Sequence, residues 1–142
     1  ELGPIDFIVV EYPGAQMTGE ALPHLIDLVG SGTIRILDVA LIHKSEDGGG
    51  FQTLRPDDFV AAGAPVFELF RGAVTGLLDE EDLRQVADVI EPGSAGLILV
   101  YENSWAGPFA TAVRRAGGQL VANGRIPVQA LLEALEDDAA GV

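Results

Sequence analysis

At 142 residues the chain suits one domain of ordinary size, and 48% hydrophobic against 21% charged residues exclude an intrinsically disordered segment. Eight Lys+Arg against 22 Asp+Glu leave a net charge of −14, which disfavours nucleic acid and anionic membrane as partners. Cysteine is absent, so disulfides, thiolate catalysis and Cys-ligated metal centres are excluded.

The opening Glu1-Leu2-Gly3-Pro4 has no basic segment ahead of an apolar stretch, and no uncharged run reaches the roughly 18 residues that span a bilayer. A soluble, cytoplasmic protein without a membrane span is expected. Phe7-Ile8-Val9-Val10 marks a first strand over Asp6 to Tyr12, stopped by Pro13-Gly14. Ala21, Leu22, Leu25, Ile26, Leu28 and Val29 recur at helical spacing, with Thr18 as candidate N-cap and Leu22 or Pro23 as alternative starts; Gly30-Ser31-Gly32 ends that helix. Thr33 to His43 reads as a second strand, Asp47-Gly48-Gly49-Gly50 as a turn, and Phe51 to Leu54 as the returning strand of a hairpin. Pro56 to Leu78 is mostly helical in pattern, broken at Gly63-Ala64-Pro65.

Asp79 starts a clear helix: its side chain can cap free amides, and Glu80, Glu81 and Asp82 favour the positive end of the dipole. Leu83, Val86, Ala87 and Ile90 are its core-facing stripe. Ser94 to Glu102 holds a fourth strand with the apolar run Leu97 to Tyr101, Ser104 caps a helix to Ala116, Gln119 to Ile126 is a fifth extended segment, and Pro127 opens a last helix. The fold class is therefore α+β, an α/β sandwich. Its expected form is a single domain over 1–142 with a ferredoxin-like βαββαβ core plus an additional helix, strand and C-terminal helix.

The strands do not alternate apolar with polar residues. Phe7 and Val9 oppose Ile8 and Val10, and Leu97 and Leu99 oppose Ile98 and Val100, so both sheet faces need cover. Crossover helices on one face would leave the other to the remaining helices or to a second copy, and a homo-oligomer is expected.

Asp38 shares a strand face with Ile34, Ile36 and Ala40 on an ideal strand, which makes it a candidate buried acid; an ion pair with a neighbouring arginine, or a place near a strand end or oligomer rim, accounts for it more simply, and Arg35 would lie on the opposite face. Glu11-Tyr12 and Tyr101-Glu102 end the first and fourth strands. These strands are expected as central neighbours running in parallel, which would gather two carboxylates and two phenols at one edge, a pattern suited to acid–base work or a divalent cation; strand ends meeting solvent, with Asn103-Ser104 capping the next helix, account for the same residues. Trp105, the lone tryptophan, reads as a core or interface anchor. His24 and His43 lack metal-ligand spacing, Gly93-Ser94-Ala95-Gly96 precedes a strand where a nucleophile elbow would follow one, and Gly48-Gly49-Gly50 lacks the context of a phosphate loop. No catalytic, metal or cofactor residues are assigned, and the reading leans away from an enzyme. The candidate ligand or interface cluster is Glu11, Tyr12, Asp38, Tyr101, Glu102 and Trp105.

Asp79-Glu80-Glu81-Asp82, the Glu91-Pro92-Gly93-Ser94-Ala95 lead into a strand, and Gly117-Gly118-Gln119-Leu120-Val121 before a helix form a pattern over most of the chain. It resembles a bacterial family of unknown function, often described as membrane proteins, with a ferredoxin-like core. Relatives carry a long Gly-rich apolar insert; here Ala61 to Leu78 is short and keeps only Gly72 and Gly76 at G-x-x-x-G spacing, with Glu68 and Arg71 nearby. The resemblance, closest in kind to an actinobacterial branch, implies a fold and supplies no catalytic residues. The expected function is that of a non-enzymatic, self-associating protein. A small-ligand or metal-responsive regulatory module, and a small cofactor-independent enzyme, are the alternatives.

Overall fold

The computed structural model describes residues 2–55, 58, 76–119, 121–122 and 124–140. The expected helical stretch from Pro56 to Leu78 lies almost wholly outside the described residues. Two compact units are present, Glu1–Thr111 and Ala112–Val142.

The first unit is α+β. Its elements are β1 (Ile5–Tyr12), α1 (Leu22–Gly30), β2 (Arg35–Lys44), β3 (Phe51–Leu54), α2 (Glu80–Val89) and β4 (Ala95–Glu102), followed by the start of α3 (Ala106–Arg115). Helix α1 begins at Leu22, with Pro23 in the first turn, where a missing N–H costs nothing. It closes where Thr33 N donates to Leu28 O at Gly32, whose φ of 75° suits glycine. Helix α2 starts as read, through a reciprocal cap: Asp79 accepts from Asp82 N, and Asp82 accepts from Asp79 N.

The four strands form one antiparallel sheet in the order β1-β4-β2-β3. Strands β1 and β2 run the same way with β4 between them, and β3 and β4 run the same way with β2 between them. Two expectations are corrected here. Among the described residues strand β1 is an edge strand, not a central one, and it pairs with β4 antiparallel, not parallel.

The helices also divide differently from expectation. Leu83, Ala87 and Ile90 of α2 and its C-terminus pack on Ala40, Ile42 and Ile98. Leu25 and Val29 of α1 pack on Ile36, Val39 and Leu99. Val39 and Ala40 are successive residues of β2, so the two helices cover opposite faces. Strands apolar on both sides demand this, and over β2 and β4 the chain's own helices meet the demand.

The second unit contains the end of α3 and helix α4 (Val128–Ala140). Gly118 N donates to Val113 O and Gly117 adopts φ 94°, closing α3 behind the basic Arg114 and Arg115. The fifth extended segment is a correction: among the described residues from Gln119 to Ile126 none is in a strand. Val121 is 91% exposed there. Gly124 and Pro127 interrupt the run, and an apolar tract without a ladder partner has nothing to hold it extended.

Candidate functional site

The buried charge of the first unit lies on the α2 side of the sheet. Strand β2 carries a bulge: Ile36 faces Tyr101 of β4, but Asp38 faces Val100, with Leu37 as the extra residue. The bulge reverses the side-chain phase. Asp38 therefore shares its face with Ala40 and Ile42 and not, as an ideal strand would have it, with Ile36. Arg35, opposite Glu102, joins the same face as Asp38 for the same reason.

Asp38 is completely buried. Nη2 of Arg55 donates to both its oxygens at 3.1 Å, Leu78 N donates to Oδ2 at 3.0 Å, and Val39 N donates to Oδ1 at 2.9 Å. Arg55 also reaches Leu78 O at 3.4 Å, while its buried Nη1 finds no acceptor among the described residues. Arg55 follows β3 and Leu78 precedes α2, so one carboxylate ties together three points of the chain. The ion pair expected for Asp38 is present. Its partner was legible only as an arginine one residue past the returning hairpin strand, and the Leu78 amide had no sequence signal at all.

Two residues beyond Val100, Glu102 forms a second node. Its Oε1 accepts from Arg35 Nε and its Oε2 from Gly3 N, at 2.9 and 2.8 Å. Gly3 is required here, because a Cβ would collide with the Asn103 carbonyl. Asn103 N and Nδ2 both donate to Pro4 O, and Nδ2 also donates to Asp6 Oδ2. The Gly3 amide, aided by Arg35, holds the Glu102 carboxyl below its ordinary value of 4.5 against the opposing effect of burial. A depressed carboxylate stabilises the fold above its unfolded value and surrenders that contribution as pH falls through its folded value. Glu102 should therefore favour the fold at neutral pH and stop doing so only below pH 4.5. A carbon-detected NMR titration of its carboxyl should give a midpoint under that value, and a midpoint above it would contradict the assignment.

The antiparallel register separates the other candidates. Glu11 faces Gly96 and Tyr12 faces Ala95, whereas Glu102 faces Ile5 and Tyr101 faces Asp6. Gly96, which faces Glu11, is six residue steps along β4 from Glu102, about 20 Å at strand rise. Glu11 instead accepts from Glu91 N at 2.8 Å, in the turn that leads from α2 to β4. That turn is the Glu91-to-Ala95 motif. Gly93, at φ 81°, donates from its N to Lys44 O, Ser94 N donates to Glu91 O, and Ser94 is buried. Lys44 Nζ reaches Ile90 O at the end of α2. The motif is a structural corner.

Tyr101 is half-buried against the α1-side cluster. Trp105 is 57% exposed, which corrects the core alternative, and its N donates to Thr33 O. His24 and His43 are exposed. Both buried carboxylates accept hydrogen bonds from the chain's own donors, an arrangement that braces the sheet. Among the described residues no three His, Asp or Glu side chains gather as a metal site, and no helix is long and apolar enough to cross a membrane.

What the fold leaves uncovered is apolar. On β1, Ile5, Phe7, Ile8 and Val9 are exposed, Phe7 to 69%. On α4, Val128, Leu131, Leu132 and Leu135 are exposed at the i, i+3, i+4 and i+7 positions of one helix face. Neither a curated protein nor a solved structure matches the chain. Residues 1–140 match the family model DUF6325, and the chain belongs to this family of unknown function.

Proposed function

We propose that this is a non-enzymatic protein that self-associates through the edge strand β1 of a ferredoxin-like core. The succession βαββαβ over residues 5–102 supports the fold name, while the order β1-β4-β2-β3 and the placing of α1 and α2 on opposite faces depart from the arrangement expected for it. One observation carries the functional reading: most apolar residues of β2 and β4 are buried under α1 and α2, while Ile5, Phe7 and Val9 on one face of β1 and Ile8 on the other are exposed. Proteins ordinarily blunt a sheet edge with lysine, proline or inward charge. Here Pro4 lies outside the strand, and its two acids turn toward the chain itself: Asp6 accepts from Asn103 Nδ2 and Glu11 from Glu91 N. Each large side chain buried against another copy would contribute about 2 kcal/mol before the cost of association.

The expectation of assembly across a second sheet face thus moves to the sheet edge. The charge of −14 makes copies repel at long range, and salt shortens that repulsion while leaving apolar contact intact. Light scattering at micromolar concentration should report a mass above the 14.9 kDa of one chain, rising with salt. Phe7→Glu and Val9→Glu should return it to one chain with the fold preserved. A monomeric wild type, dissociation on adding salt, or an undiminished mass in both variants would overturn this reading.

A further inference from the structure

We infer that two copies pair β1 with β1, antiparallel about a two-fold axis at Ile8, so that the two four-stranded sheets become one of eight strands; this rests on the self-association proposed above. The partner is a second copy because of what the edge offers. Strand β1 is the end strand of the sheet and has eight residues, whereas β3 at the other edge has four. The longest ladder two such sheets can add joins β1 to β1.

Symmetry restricts the register. A continuous antiparallel sheet keeps each side chain on its own face across the junction, so the residue on the axis meets its own copy and neighbours pair symmetrically about it. Centred on Ile8, Phe7 faces Val9 of the second copy, Ile8 faces Ile8, Asp6 faces Val10 and Ile5 faces Glu11. The three most central exposed apolar residues then meet only one another, and no two carboxylates are opposed. Centring on Val9 would set Phe7, the most exposed large apolar residue of the strand, against Glu11. Centring on Asp6 or Glu11 would oppose like charges. Centring on Phe7 shortens the ladder to residues 5–9.

The chain has no cysteine, so single cysteines report the register without background. Opposed residues of an antiparallel pair have Cα atoms about 4.5–5.5 Å apart, within disulfide reach, and diagonal ones about 7–8 Å apart, beyond it. Under mild oxidation Ile8→Cys should give a covalent dimer as its main product. Phe7→Cys and Val9→Cys should each give little disulfide-linked dimer alone and cross-link when mixed. If Phe7→Cys or Val9→Cys alone is the efficient cross-linker, or if none forms a dimer while the wild-type mass exceeds one chain, the register is wrong and self-association stands. If the wild type is monomeric, both fall.

Discussion

Replacing Asp38 by alanine should lower stability by about 3 kcal/mol. The loss has three parts that act together. The Arg55 guanidinium keeps its charge with no carboxylate beside it, and the Val39 and Leu78 amides lose their acceptor. Arg55 retains some access to water, which keeps the figure at the lower end of the range for a broken buried pair. In a chain of this length the effect should appear as a fall in Tm of about 10 °C. Asp38→Asn keeps an oxygen for the amides and should recover part of the loss. Arg55→Met should also be strongly destabilising, because it leaves Asp38 charged and buried. The double variant Asp38→Asn with Arg55→Met should cost less than the two single changes added together, a coupling of about 1–2 kcal/mol in urea unfolding. A loss under about 1 kcal/mol for Asp38→Ala would mean that the node is not a brace.

Ile98→Ala should cost a comparable amount, about 3 kcal/mol, for a different reason. Ile98 is fully buried at the centre of the cluster formed by Ala40 and Ile42 of β2 with Leu83, Ala87 and Ile90. Backbone on the strand side and a capped helix on the other leave little room to collapse, so the deleted methyl groups become a cavity. Ile98→Val should cost about 1 kcal/mol. Phe7→Ala, on the exposed edge, should change the stability of the isolated chain by no more than about 0.5 kcal/mol. The contrast between Ile98 and Phe7 is informative, since both are large apolar residues in strands of one sheet. Equal losses at the two positions would mean that β1 is covered within one copy, and would remove the basis for edge pairing.

Local elements were legible where local chemistry decides them. The Asp79 cap, the glycine stops after α1 and α3, and the hairpin turn before Phe51 depend on residues within one or two turns of each other, and all are present. The absence of alternation in the strands correctly implied a sheet needing cover on both faces. The candidate cluster was much less legible. Collecting Glu11, Tyr12, Tyr101 and Glu102 depended on the relative direction of β1 and β4, and no residue in either strand encodes that direction. Burial of Asp38 and an ion pair with an arginine are among the readings its apolar neighbours allow, yet the face an ideal strand gives it is wrong by one position, because nothing at Ile36-Leu37-Asp38 announces a bulge. Glu102 drew attention as a strand-end acid. Its partners, Gly3 at 99 residues' separation and Arg35 at 67, could not be seen.

The charge of −14, the lack of cysteine, the α+β class and the position of most elements follow from the sequence alone, because composition and short-range hydrogen bonding determine them. Strand order, the assignment of α1 and α2 to opposite faces, the Asp38–Arg55 node and the exposure of β1 were decided only by tertiary structure. Each depends on which of several apolar strands wins the central positions. That choice is made by the summed packing of residues far apart in the chain, which no local pattern carries. The acidity acquires its meaning from the same choice: with Asp6 and Glu11 turned to partners in their own chain, Ile5, Phe7, Ile8 and Val9 of β1 are left facing outward on a protein whose net charge makes copies repel.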